Sequence, residues 1–255
     1  MADQNSKILK VSNIIAFVLT VIVNSLAGST TIIAGKNTAE ISDANLTLIT
    51  PAGYTFAIWG VIYVLLGIFV IFQALPSNNN KDYAKRIGWF FVLSSVLNIV
   101  WLFLWQFEFL GLSVIVMFML LYSLISIYRR LDIGKTKIDF HEKLFVHVPF
   151  STYMGWITIA SIANVATTLV SLNWDGFGIS SEIWAILIVI IALLITLLVL
   201  ITRKDVAYGL VIVWALAGIW IGQSEYQNIV TLAQTSSIIV LITLAVTILN
   251  DKLRK

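Results

Sequence analysis

TPAGYTFAIWGVIY, residues 50–63, is the point where a polar loop gives way to an aromatic-rich apolar run. Pro51 has no N–H to leave unsatisfied at a helix entrance, and Gly53 lets backbones approach closely. Tyr54, Phe56, Trp59 and Tyr63 follow, so the segment reads as the lip of a pocket at the head of a membrane helix. The rest of the composition agrees with a membrane setting. The chain is 59% hydrophobic and only 11% charged, whereas a soluble domain is close to half apolar. Backbone polar groups in hydrocarbon must be paired within their own segment, so long apolar runs imply helices, and a barrel would show short alternating segments instead. The expected fold class is therefore all-α, a polytopic membrane helix bundle in contact with the lipid bilayer.

Hydropathy places helices at about 9–34, 53–75, 87–107, 109–128, 144–171, 183–202, 206–222 and 228–250. The N-terminal run is longer than a signal-peptide core and is read as the first helix. Charge then sets the topology. Of the 16 basic residues, fifteen fall on one side of an eight-helix arrangement and Lys36 alone on the other. The positive-inside rule therefore puts both termini in the cytoplasm, and the last basic cluster, Lys252, Arg254 and Lys255, requires the short seventh helix. The expectation is an integral, multi-pass protein of the cell membrane. The net charge of +3 lies in loops that flank the membrane and carries no nucleic-acid signal. There is no cysteine, which excludes disulfides and thiolate chemistry, and two histidines offer little to a metal.

Apart from Lys10 at the very start of the first, no Asp, Glu, Lys or Arg lies within the eight expected spans, which disfavours a proton-coupled carrier built on an intramembrane carboxylate. His147 reads as an interfacial histidine hydrogen-bonded to backbone or water. The acidic residues Glu108, Asp175, Glu182 and Glu225 read as solvated helix ends. Aromatic and amide residues are more informative. At 1.5 Å per residue, Trp59 lies about 9 Å and Tyr63 about 15 Å below the start of the second helix. On the third helix, Trp101 and Asn98 lie about 9 Å and about 14 Å below the same boundary. On the fifth, Tyr153, Trp156, Ala160, Asn164 and Thr167 share one face. Trp105, Trp174, Trp184 and Trp220 fit an interfacial belt, whereas Trp101, Trp156 and Trp214 are too deep for one. Tryptophan faces with a few amide groups suit a flat, largely apolar ligand; equally, the tryptophans can interlock and Asn98 and Asn164 can bond helix to helix.

At these residues the chain resembles the tryptophan-rich sensory protein family, also called the translocator protein or peripheral benzodiazepine receptor family. Pro51-Ala52-Gly53-Tyr54-Thr55-Phe56 with Trp59 and Tyr63 is similar to that family's entry to its second helix. Leu97-Asn98-Ile99-Val100-Trp101 is similar to its third-helix motif, and Tyr153, Trp156, Ala160 and Asn164 to its fifth. The chain departs from the pattern at Ala52, Tyr54 and Thr152, and by one residue between Phe56 and Trp59. The resemblance covers about residues 9–173. It implies a five-helix bundle that binds tetrapyrroles, sterols or similar flat ligands between helices 1, 2 and 5 under the first outer loop, often as a homodimer. Residues 183–250 then form an additional three-helix membrane region.

The functional expectation is a binding or sensor protein for a flat hydrophobic small molecule such as a porphyrin, with no other cofactor and no catalytic or metal residues. Tyr54, Trp59, Tyr63, Asn98, Trp101, Tyr153, Trp156 and Asn164 are the expected site. The alternative is a small-molecule transporter that uses the added helices as a second half. No residue set resembles an acid–base or nucleophilic site.

Overall fold

The computed structural model describes residues 2–78 and 81–253. It is a helical bundle with no strand among the described residues. The principal helices are α1 (Ala2–Ser29), α2 (Thr38–Ala44), α3 (Ile58–Ala74), α4 (Tyr83–Ile87), α5 (Phe90–Gln106), α6 (Leu110–Arg130), α7 (Phe140–Glu142), α8 (Val148–Ser171), α9 (Ser181–Arg203), α10 (Val206–Gly222) and α11 (Gln227–Leu253). Among the described residues, six spans are long and apolar enough to cross a membrane: within α1, through α3 with its 3₁₀ entry, through α6, through α7–α8, through α9 and within α11. Apolar α5 and α10 have 17 residues each, a length of about 26 Å that approaches the thickness of a hydrocarbon layer. Large apolar side chains such as Ile15, Val64, Ile191 and Ile242 point outward. In water they would be a liability; against lipid they are the expected surface.

The expected boundaries match within a few residues except at the first helix. It begins at Ala2, ahead of the apolar run, and stops at Ser29 instead of continuing to about 34. Thr30 turns its hydroxyl back onto the Leu26 carbonyl, and Ala34 and Gly35 adopt positive φ, so the chain leaves the helical path there. Ahead of α8, residues Lys143–His147 wind as a π-turn. Pro149, at the start of α8, has no N–H to donate to the preceding turn, which accounts for the wider winding. His147 sits at the end of this turn and is buried, and its Nε2 has no hydrogen-bond partner among the described residues.

The basic loops meet at one end of the bundle, here called the basic end. Arg86 Nε donates to the Arg130 carbonyl at 2.7 Å, and Arg203 reaches Asp132 at 3.2 Å. Lys81 pairs with Asp139 at 2.6 Å, and this bond raises the lysine's pKa and lowers the carboxylate's. Arg254 and Lys255 of the last basic cluster, and the side chain of Lys252, lie outside the described residues. At the opposite end, here called the lid end, Lys36 pairs with Glu108 at 2.5 Å.

α5 packs on α6, α6 on α8, α8 on α10 and α10 on α11, with α1 against α5 and α3. The helices beyond residue 180 are therefore joined to the first five through the α8–α10 contact. They are joined a second time at the lid end, where the Ala52 N–H donates to the Gly218 carbonyl at 2.9 Å. Two glycines permit that approach: a Cβ at Gly218 would overlap the Thr55 side chain, and one at Gly222 would lie 2.7 Å from the Ala52 nitrogen and 3.0 Å from the Thr50 carbonyl oxygen. Gln223 then donates from Nε2 to the Thr50 carbonyl at 2.8 Å and to the Thr47 carbonyl at 3.2 Å. Gly222→Ala is expected to cost roughly 1–3 kcal/mol because only backbone could yield to the new methyl. Thermal unfolding in detergent should show a lower midpoint for Gly222→Ala, and none for Gly111→Ala, where the added methyl meets nothing within 4 Å.

Candidate functional site

The 3₁₀ turn Gly53–Ala57 feeds directly into α3 and aims Phe56 and Trp59 at α8. Trp59 is stacked on Tyr63 with ring centres 5.6 Å apart and planes at 18°. It also meets Trp156 edge-on at 6.2 Å and Tyr153 at 6.1 Å. Phe56 meets the other side of the Trp156 region at 6.1 Å, again edge-on. Offset and edge geometries of this kind hold aromatic rings in fixed mutual orientation.

Amides brace the layer from the neighbouring helices. Asn24 of α1 donates to Asn98 Oδ1 at 2.6 Å, and Asn98 Nδ2 donates to the Tyr153 hydroxyl at 3.1 Å, tying α1, α5 and α8 together. Nearer the lid, Trp101 Nε1 donates to Asn164 Oδ1 at 2.8 Å, and Asn164 Nδ2 donates to Ser113 Oγ at 2.9 Å. That second set joins α5, α8 and α6. Asn98 and Asn164 are both almost fully enclosed.

These groups surround a cavity of about 90 Å³ at the lid end. Trp59, Trp101, Trp156 and Asn164 line it, with Phe56 from the entry turn and Trp105 from α5. Thr38 and Ser42 of α2, together with Ile49, Thr50 and Pro51, form the lid. The remaining wall comes from Ile188, Val189 and Ala192 of α9 and Ala215, Leu216 and Ile219 of α10. None of the lining residues is charged. The Trp156 indole N–H is buried and has no hydrogen-bond partner among the described residues.

Of the eight expected site residues, Trp59, Trp101, Trp156 and Asn164 are therefore brought to one cavity. Tyr63, Asn98 and Tyr153 sit one layer toward the basic end and support the ring of Trp59 without lining the cavity. Tyr54 turns outward, 43% exposed, and meets Trp214 edge-on at 5.3 Å. Trp214 is itself 38% exposed and donates to the Thr55 carbonyl at 2.9 Å. It clamps the entry turn from α10. Trp105, expected in an interfacial belt, is 6% exposed and donates to the Thr38 carbonyl at 3.2 Å. Its place four residues after Trp101 was the available signal, since that spacing keeps both on one helix face. Asn24 could also have been found, as an amide in an apolar run. The α9 and α10 wall could not, because uniformly apolar helices carry no facial signal. The resemblance implies a pocket between helices 1, 2 and 5; here α1 contributes no lining side chain, and α9 and α10 contribute to the wall.

Fold and site together define an integral, multi-pass helical membrane protein with an aromatic cavity at one end. The chain belongs to the family described as TSPO-like protein, whose model matches residues 10–248. That match runs through the added helices as well as the first five. No curated protein and no solved structure matches the chain.

Asn164→Ala removes the acceptor of Trp101 and the partner of Ser113 at once. The expected loss of stability is roughly 1–2 kcal/mol, the scale of a stranded buried donor tempered by the weaker net value of polar contacts between membrane helices. Thermal unfolding of the purified variant checks this, with Asn228→Ala, at the exposed start of α11, expected to change stability by less than about 0.5 kcal/mol.

Proposed function

We propose that the chain is a membrane binding or sensor protein whose ligand is a flat, largely apolar molecule of the porphyrin class, held in the aromatic cavity. The observation that carries this reading is the convergence of Trp59, Trp101 and Trp156 on one uncharged cavity beside Asn164. Indole faces offer broad dispersion contact, and one or two fixed polar groups orient such a ligand. The unpartnered Trp156 N–H supports the same reading, because leaving it unpaired costs roughly 1–3 kcal/mol that a ligand acceptor would recover. Ligand pockets commonly run to about 300–1,000 Å³, so a cavity of about 90 Å³ accommodates one ring of a larger molecule in its present form. A complete tetrapyrrole requires the lid at Ile49, Thr50 and Pro51 to move aside. Membership of the TSPO-like family is consistent with a binding role.

The test is saturable binding of protoporphyrin IX to the full chain in nanodiscs, followed by the anisotropy of porphyrin emission. Ala163→Phe narrows the cavity and leaves every tryptophan in place; it should weaken binding by at least about tenfold, equivalent to about 1.4 kcal/mol. Trp59→Ala with Trp156→Ala should weaken it further. Absence of saturable binding by the unaltered chain, or unchanged affinity in both variants, would overturn the reading.

A further inference from the structure

A second and larger cavity, of about 640 Å³, lies between the lid-end halves of α8 and α9. It shares Ile49 and Ile188 with the aromatic cavity, so the two are neighbours across a thin apolar wall. The chemistry of the two differs. The larger cavity has an apolar body lined by residues such as Val165, Ala166, Leu169 and Ile188. Its other end carries Trp174, Trp184 and Tyr226 together with two carboxylates, Asp175 and Glu182, and no lysine, arginine or histidine lines it.

The arrangement of those groups is specific. Trp174 and Trp184 lie 5.2 Å apart, and the Trp184 N–H is spent on the Gly176 carbonyl at 3.0 Å, so Trp184 has its indole face to offer a ligand. Asp175 uses Oδ1 to accept from the Phe177 N–H at 3.0 Å, and Glu182 uses Oε1 to accept from Asn228 at 2.8 Å. The second oxygen of each makes no hydrogen bond among the described residues. Aromatic faces beside uncompensated carboxylates select a cation, and a desolvated quaternary ammonium is the cation that aromatic faces hold best. The apolar body requires a hydrocarbon chain attached to it, and the volume is in the range of small-molecule sites.

We infer that this cavity is a second binding site, distinct from the aromatic one, for an amphiphile with a hydrocarbon chain and a quaternary ammonium head. The chain lies along α8 and α9 and the head sits among Trp174, Trp184, Asp175 and Glu182. Two sources share this chemistry: a free alkylammonium compound, and a bilayer lipid with a choline head. The inference does not depend on porphyrin binding.

The experiment is equilibrium dialysis of radiolabelled decyltrimethylammonium against the full chain in nanodiscs of digalactosyldiacylglycerol, a neutral lipid without an ammonium group, with empty discs subtracted. Saturable binding is expected. Asp175→Asn with Glu182→Gln keeps both hydrogen-bond acceptors, so the loop stays capped while the charge is lost; affinity should fall about tenfold, the scale of two partly exposed ion pairs. Ala166→Trp, which fills the apolar body and leaves the charges, should lower affinity to a similar degree. Both variants should bind protoporphyrin IX as the unaltered chain does, which separates failure here from failure of the porphyrin reading. Discs containing phosphatidylcholine assign the source: competition identifies the lipid, and unchanged binding identifies the free amphiphile. The inference is overturned if decyl maltoside, with a neutral head, binds equally well, or if either variant retains the original affinity.

Discussion

The contact on which this molecule turns is the backbone approach of residues 50–55 to α10. Ala52 donates to the Gly218 carbonyl, and Gly222 leaves no room for even a methyl between the helix and the Thr50–Ala52 backbone. Because Pro51 has no N–H, the turn carries one donor fewer to satisfy as it crosses the helix. Gln223 and Trp214 add bonds on either side, to the carbonyls of Thr47, Thr50 and Thr55. The lid, the entry to α3 and the added helices are thereby one mechanical unit. Where Trp59 points follows from how that turn is seated.

Inside the bundle the organising constraint is different. Apolar surfaces give helices in lipid little reason to choose one partner over another, so packing and interhelical hydrogen bonds make the choice. The amide sets do this by joining three helices each: Asn24, Asn98 and Tyr153 connect α1, α5 and α8, while Trp101, Asn164 and Ser113 connect α5, α8 and α6. Asn13 and Gln73 make a comparable bond at 3.0 Å between α1 and α3 nearer the basic end. Each such bond is worth little by itself, but a slipped helix would strand several buried polar groups together, and that raises the cost of every alternative register.

The lid end holds two cavities of different chemistry. One small cavity is aromatic and uncharged, and Trp101 and Asn164 of its lining bond to each other while the Trp156 N–H has no partner among the described residues. The adjoining larger one is apolar along its length and acidic where Asp175 and Glu182 line it. Helix α9 lines both, with Ile188 in the wall they share.

Much of this was legible in the residues themselves. Helix positions followed from hydropathy, because unpaired backbone in hydrocarbon is so costly that long apolar runs have only one local solution. The gathering of basic residues at one end followed from charge, and the level match of Trp59 with Trp101 followed from helical rise. Facial spacing brought Trp156 and Asn164 to the same wall. What the residues could not disclose was which uniformly apolar helix faces which. The roles of α9 and α10 in closing the cavity, the outward turn of Tyr54, the burial of Trp105 and the seating of Ala52 on Gly218 are all pairings between segments far apart in the chain. Side chains of similar hydrophobicity encode such pairings only through shape and a few polar contacts, and those acquire meaning when the helices are already side by side.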